Sequence, residues 1–436
     1  MTPADEREHS ARPAAGWQPT WAMRRVVVLF VVSAGMTLVF GRPAIALAVL
    51  PLGVGTALAL AGRQGRPRPR LRVEMPNMAE VDGQAAAVIS VSGLEAAEIV
   101  VLRMPHGIGP PGAPYVVLAA DPPDQELTVP VDTSRWGMRD FGAAGVRVAT
   151  GDGLFATPVV IAHTAPVRIL PPARTADVPE LPARSAGQVG AHRTRRPGDG
   201  SELLDVREFR PGDRVRRIDW RVSARRGVLH VRHTAIDADA DLVICLDTRY
   251  DLTPDVMGWH DRSSGAGQGG SLGVAIGAAT TLAASYLRLG DRVGLVDLAV
   301  PYRGVQPGTG VRQLMRIRWH LAGIVPDAQL RRRRFDEGSV PRGAAVVVLS
   351  PYIDDQIDPL VGTLARTHRD VLAIDVLPET LTMPTDRAEL AAARLVLAER
   401  TDRLAALARR GVLVARWDPG LIGLLMRRRQ RLRRSA

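Results

Sequence analysis

One stretch of the chain gathers charged residues, a tryptophan and glycines in a pattern suited to recognition. It reads Leu-Leu-Asp-Val-Arg-Glu-Phe-Arg-Pro-Gly-Asp from Leu203 to Asp213, then Arg-Ile-Asp-Trp-Arg-Val-Ser-Ala-Arg-Arg-Gly-Val-Leu-His-Val from Arg217 to Val231. Pro211-Gly212-Asp213 is a turn by composition. No clean helical period runs through the stretch, and Gly227 opens a strand through Leu229 and Val231. Two arrangements fit these residue types. In one, a surface loop presents Arg207, Arg210, Asp213, Arg217, Asp219, Trp220, Arg221 and Arg225 to an anionic or peptide partner. In the other, the same groups form an internal salt-bridge network with Trp220 as its packing anchor.

A second set of polar residues closes apolar runs. Asp247 follows Leu242 to Leu246, and Ser350, Asp354 and Asp355 follow Ala344 to Leu349. Other candidate chemistry is thin. His230 and His233 are three apart on a strand and face opposite sides, so they cannot share a ligand. Asp237, Asp239 and Asp241 alternate at the entry to an apolar strand, where acids solvate the strand end. No Gly-x-Ser-x-Gly elbow, Walker A loop or His-Glu-x-x-His is present. Every one of the 57 basic residues is arginine. That excludes a P-loop lysine, a Schiff-base lysine and a pyridoxal-phosphate site. Cys245 is the single cysteine. It precludes an intramolecular disulfide or a multi-cysteine metal centre, and its apolar run suits a buried, inert thiol.

The acids need elements to place them. Strand and helix patterns alternate from Asp241 onward: strands at Asp241–Asp247, Arg292–Leu298, Ala344–Leu349, Val371–Val376 and Val412–Ala415. Helices fall at Ser271–Leu289, capped by Ser271, and at Gly310–Ala322, Asp358–His368 and Arg387–Arg410. Buried strands alternating with helices make an α/β doubly wound sheet, whose ligands sit at the carboxyl ends of its strands. Upstream, residues 71–170 carry short β-type runs punctuated by Pro, Gly and Asp, the pattern of a small antiparallel β-sandwich. Residues 171–200, rich in Pro, Arg, Gly and Ala, make an extended or mobile linker.

Two apolar runs, Val26 to Phe40 and Ala44 to Gly62, flank a Gly41-Arg42-Pro43 turn. The second is long enough to span a bilayer; the first is short unless it recruits Trp21 and its neighbours. Arg24 and Arg25 precede the pair, and Arg63, Arg66, Arg68, Arg70 and Arg72 follow it. By the positive-inside rule this is a transmembrane helical hairpin with both ends cytoplasmic. The expected location is the cell membrane, multi-pass, with the bulk of the chain in the cytoplasm. The trailing arginines make anionic membrane lipid a partner. The net charge is +12 and aromatics are 4% of the chain. So few stacking groups speak against nucleic acid as a partner.

Residues Leu203 to Asp247 resemble the signature of the bacterial domain of unknown function 58 family. The carrying elements are Arg207 to Asp213, Ile218 to Trp220 and Ser223 to Arg225, with Asp152-Gly153-Leu154-Phe155 upstream. The resemblance implies a von Willebrand factor A-like C-terminal domain and pairing with a MoxR-type AAA+ ATPase in the assembly or maturation of envelope or other complexes. It supplies no catalytic activity, so no enzyme is expected. Domains of that kind often hold Mg²⁺ through Asp-x-Ser-x-Ser, with a threonine and an aspartate from later loops. Here the resemblance implies Asp247 and Asp251 in the first element, Thr309 as the threonine and Asp354 as the late aspartate. Arg249 stands where the first serine belongs and would replace a dication with an internal ion pair. The expectation is therefore no cofactor, with Mg²⁺ as the open alternative. The alternative function is a metal-dependent α/β hydrolase or nucleotide-binding enzyme using Asp247, Asp251 and Asp354. The expected segments are a 1–25 cytoplasmic tail, a 26–62 hairpin, the 71–170 sandwich, the 171–200 linker, a 201–240 signature segment, the 241–420 von Willebrand A-like domain and a 421–436 basic tail.

Overall fold

A computed structural model of the chain describes residues 16–61, 68–95, 97–110, 112–179, 193–209, 218–237, 241–260, 269–300, 303–325, 340, 344–368, 370–420 and 423. Arg210, Asp213 and Arg217 of the signature, the Arg331 to Arg334 run and the basic tail lie outside them. The chain divides into two compact units, Met1–Ile169 and Leu170–Ala436.

The first unit opens with a two-residue strand, β1 (Gln18–Pro19), and two helices, α1 (Trp21–Phe40) and α2 (Pro43–Ala61). Thr20 caps α1, its hydroxyl accepting from the Met23 amide. Gly41, at φ 57°, ends α1 in the left-handed region, and Pro43 starts α2 where its missing N–H costs nothing. The Phe30 ring lies so close to Gly53 that a Cβ there would collide with it. The side chain's absence thus lets the two helices approach. Helix α1 has 20 residues, about 30 Å of rise. Among the described residues it is the one helix long and apolar enough to cross a membrane, by length and composition. The sequence favoured the second run; the first reaches spanning length because α1 begins at Trp21 and gains a turn and a half ahead of Val26.

The remaining strands of this unit are β2 (Arg70–Glu74), β3 (Met78–Glu80), β4 (Ala86–Ser92), β5 (Ile99–Arg103), β6 (Tyr115–Ala119), β7 (Gln125–Pro130), β8 (Gly137–Arg139), β9 (Ala143–Ala149), β10 (Phe155–Ala156), β11 (Val160–His163) and β12 (Val167–Leu170). One sheet runs β1-β10-β9-β5-β6 with β11 on β9; others run β2-β4-β7 and β3-β12-β8. Alternation is clearest in β4, where Ala87, Ile89 and Val91 point inward. They join Val100, Leu102, Val146 and Ile169 in an aliphatic core. Because β1 pairs with β10, and the Thr20 hydroxyl donates to the Gly153 carbonyl at 2.7 Å, the start of α1 is tied to this sheet.

The second unit begins in the segment expected to be an extended or mobile linker. Its first residues are held: the Pro171 carbonyl accepts from Arg318 Nε at 2.8 Å, and the Ala176 amide donates to Ser285 Oγ at 2.9 Å. Residues from Arg193 already belong to β13 (Arg193–Glu208), which pairs antiparallel with β14 (His230–Asp237). Between them lies a helix the sequence did not announce, α3 (Trp220–Arg226). Seven residues are too few to show a period. The elements that follow are β15 (Asp241–Leu246), α4 (Ser271–Arg288), β16 (Arg292–Asp297), β17 (Val305–Gly308), α5 (Gly310–Leu321), β18 (Ala345–Ser350), α6 (Ile357–Thr367), β19 (Val371–Asp375), α7 (Arg387–Arg409) and β20 (Leu413–Arg416).

The sheet order is β17-β16-β15-β18-β19-β20, parallel except for the antiparallel edge strand β17. Chain order reverses between β15 and β18, so the crevice of this α/β sheet opens at their carboxyl ends. Every residue of β15 is buried, as expected for a strand covered on both faces.

Candidate functional site

The site is built on the carboxyl end of β15. The Asp247 amide donates to the Leu349 carbonyl at 2.9 Å, which extends the β15–β18 ladder one residue further and aims the carboxylate into the crevice. Two residues later the Arg249 guanidinium folds back. Its Nε donates to Asp247 Oδ1 at 2.8 Å and its Nη2 to Asp247 Oδ2 at 2.9 Å, a bidentate pair. The same Nη2 donates to Asp354 Oδ1 at 3.2 Å, while Nη1 donates to Asp354 Oδ2 at 2.9 Å and Gln356 Oε1 at 3.1 Å. A guanidinium has five N–H donors, and these contacts use all of them.

The carboxylates are completed from other elements. Ser350 Oγ, at the end of β18, donates to Asp247 Oδ2 at 2.8 Å, and the Tyr250 hydroxyl donates to Asp354 Oδ2 at 2.8 Å. Arg249 is 6% exposed and Asp247 2%. Burial by itself would lower the Arg249 pKa. The hydrogen bond to Asp247 and the charges of Asp247 and Asp354 outweigh it and hold the pKa above the usual arginine value. The cation is therefore permanent at any pH the fold survives.

The loop after β18 is fixed from its other side by α7. Arg400 Nε donates to the Pro351 carbonyl at 2.7 Å and its guanidinium pairs with Asp375; Arg403 Nη2 donates to the Ile353 carbonyl at 2.7 Å. Tyr352 within this loop takes a positive φ of 52°. Its side chain is fully buried, and its hydroxyl donates to the Val348 carbonyl at 3.1 Å. Sequence reasoning missed Arg400 and Arg403; their i, i+3 spacing on one helix face was the available signal.

Of the four residues implied for a cation, the structure brings Asp247 and Asp354 together and separates the others. Asp251 Oδ1 accepts from the Leu272 amide at 3.1 Å, so this carboxylate caps α4. The capping role expected of Ser271 is not its own: its Oγ accepts from the Leu252 amide at 2.9 Å. Thr309 follows Gly308, which pairs with Val293, near the amino end of β16, whereas Asp247 lies beyond the carboxyl end of β15. An antiparallel β17 carries Thr309 to the opposite rim of the sheet. Among the described residues, no group of three or more His, Cys, Asp or Glu side chains is placed to hold a metal ion. Asp241 also departs from expectation: it is 3% exposed and lies 3.5 Å from the Nε of the half-buried Arg292, rather than at a solvated strand entry. Cys245 is fully buried, and burial pushes its thiol up to about 12.

The signature segment divides into pinned and presented residues. Asp219 is buried and caps α3, its Oδ1 accepting from the Arg221 and Val222 amides at 3.1 Å each. Ser223 Oγ accepts from the His230 amide at 2.8 Å, and Ile218 bridges to Val231. Gly227, at φ 70°, closes the helix. Trp220, by contrast, is 64% exposed and cannot be a packing anchor. Arg221 and Arg225 are exposed beside it, together with Val228 and Leu229. Arg207 lies in β13 with its backbone opposite Val231. A short capped helix thus displays one aromatic and its arginines on a stem of paired strands.

This combination is an open α/β sheet with an internally neutralised strand-end pair and a short helical tip inserted ahead of its first parallel strand. Residues 205–386 match the family model described as "Protein of unknown function DUF58". The chain is also similar to uncharacterized proteins of Mycobacterium bovis and Mycobacterium tuberculosis, each 32% identical over 205 residues. Those alignments cover 45% of this chain and 61% of each relative, so the chain spans less than two thirds of the relatives' length.

Proposed function

We propose that the chain is a membrane-tethered protein-interaction module, not an enzyme, whose second unit is a von Willebrand A-like domain docking a MoxR-type AAA+ ATPase. Its place would be in assembly or maturation of envelope or other complexes. The observation that carries this reading is the split within the signature segment. Asp219, Ser223 and His230 are spent on holding α3, while Trp220, Arg221 and Arg225 are left facing solvent. Exposed Trp and Arg held on a rigid element are the residues that dominate protein interfaces. The strand-end site supports the same reading, because Arg249 leaves no donor free for a substrate. The reversal of strand order beside β15 and the antiparallel edge strand β17 support the von Willebrand A-like assignment.

Helix α1 would anchor the chain in the cell membrane, with α2 as a second span and both ends cytoplasmic. The two-residue connection at Gly41-Arg42 supports this. So do the strands β1 and β2, which flank the pair and belong to one unit. The test is binding of a purified MoxR-type ATPase to the chain in lipid nanodiscs. Trp220→Ala with Arg225→Ala should weaken binding by about 2 kcal/mol or more, roughly thirty-fold. Unchanged affinity in the double variant would remove α3 as the docking surface, and no binding by the parent would remove the ATPase as partner.

A further inference from the structure

Helix α5 has two unlike faces. Gln313, Ile317 and Leu321 recur four residues apart and are buried, with Gln313 Nε2 donating to the Val293 carbonyl at 2.8 Å. Two positions away, and so on the opposite side, Val311, Met315 and Trp319 recur on the same spacing. Val311 is 77% exposed and Trp319 46%, while Val325, just beyond the helix, is 62% exposed. Arg312 and Arg316 are exposed next to this apolar stripe. Arg318 is not part of it, being buried with its Nε on the Pro171 carbonyl. From Leu298 to Pro326 the sequence contains no carboxylate, yet it carries Arg303, Arg312, Arg316 and Arg318.

We propose that this face of α5 is a contact for an anionic bilayer surface, with Val311 and Trp319 entering the interface and Arg312 and Arg316 pairing with lipid phosphates. A stripe of Val, Met and Trp bordered by arginines is the composition of a helix lying at a membrane surface. Its charge is complementary to anionic head groups. A nucleic-acid groove would need several stacking aromatics, and α5 exposes one. The inference rests on the reading that α1 anchors the chain, which keeps a bilayer at high effective concentration around α5.

The test uses the full chain in nanodiscs of phosphatidylcholine with or without phosphatidylglycerol. Val311→Cys carries an environment-sensitive fluorophore, and spin-labelled lipid serves as quencher. Cys245 is fully buried and stays unlabelled. Ala391→Cys on the exposed side of α7 is the control position. The expected result is a blue shift and lipid quenching at position 311 alone, only with phosphatidylglycerol. Arg312→Gln with Arg316→Gln should lower the docked-to-free ratio roughly thirty-fold. If the label stays aqueous while the chain remains in carbonate-washed vesicles, the inference is overturned and the anchor stands. If the wash releases the chain, the anchor itself falls. A shift produced by polyglutamate or by an oligonucleotide in phosphatidylcholine alone overturns the lipid assignment in favour of that partner.

Discussion

Arg249→Ala removes the cation around which the strand-end loops are arranged. Five donated hydrogen bonds disappear. The Asp247 and Asp354 carboxylates, with side chains 1% and 19% exposed, are left facing the vacated position. Breaking a buried ion pair by deleting one partner costs roughly 3–5 kcal/mol, because the surviving charge is uncompensated. For a unit of this size that is a fall in Tm of roughly 6–20 °C, read by thermal unfolding of the full chain. Hydrogen exchange in peptides covering β15 and β18 locates the change. Mg²⁺ or Ca²⁺, offered oxygens from Asp247, Asp354 and Ser350, should restore part of the loss at neutral pH. A variant that melts within about 2 °C of the parent would refute the assignment of Arg249 as the internal counter-ion.

Other substitutions test single placements. Asp219→Ala should cost about 1 kcal/mol and speed amide exchange in α3 without affecting β15, since it removes a cap that satisfies two amides. Asp251→Ala should destabilise α4 by a similar amount and leave Mg²⁺ affinity, followed by calorimetry, unchanged. Thr309→Ala, at the far rim and without a side-chain cap bond, should shift stability by less than about 0.5 kcal/mol. Cys245 should resist a thiol reagent in the native chain and react only as the sheet unfolds, because both burial and its raised pKa suppress the thiolate.

The parallel sheet was readable because its strands are uninterrupted aliphatic runs separated by long periodic helices, as in β15, α4 and β18. What escaped were elements too short or too polar to show a period: α3, specified by one capping aspartate, and β17, whose Val-Gln-Pro-Gly reads as loop. Missing β17 mattered, because its antiparallel direction sends Thr309 to the wrong rim for Asp247. The Asp247–Asp354 approach was legible from strand ends alone. The partition of acids between cation pairing and helix capping was not. Asp251 and Asp354 look equivalent in a sequence, and only packing decides that one meets the α4 amides and the other Arg249. Composition read residues 171–200 as an extended or mobile linker and could not show that the Pro171 carbonyl and Ala176 amide are held by Arg318 and Ser285.

The identity of the cation between Asp247 and Asp354 has a consequence for timing. A metal ion in that position would come and go with its concentration, and a chelator would strip it. Arg249 is delivered by the chain itself, two residues from its first partner, so its occupancy is unimolecular and independent of the ionic content of the surroundings. The loop from Pro351 to Gln356 is then held constitutively, its set written into the chain just past β15.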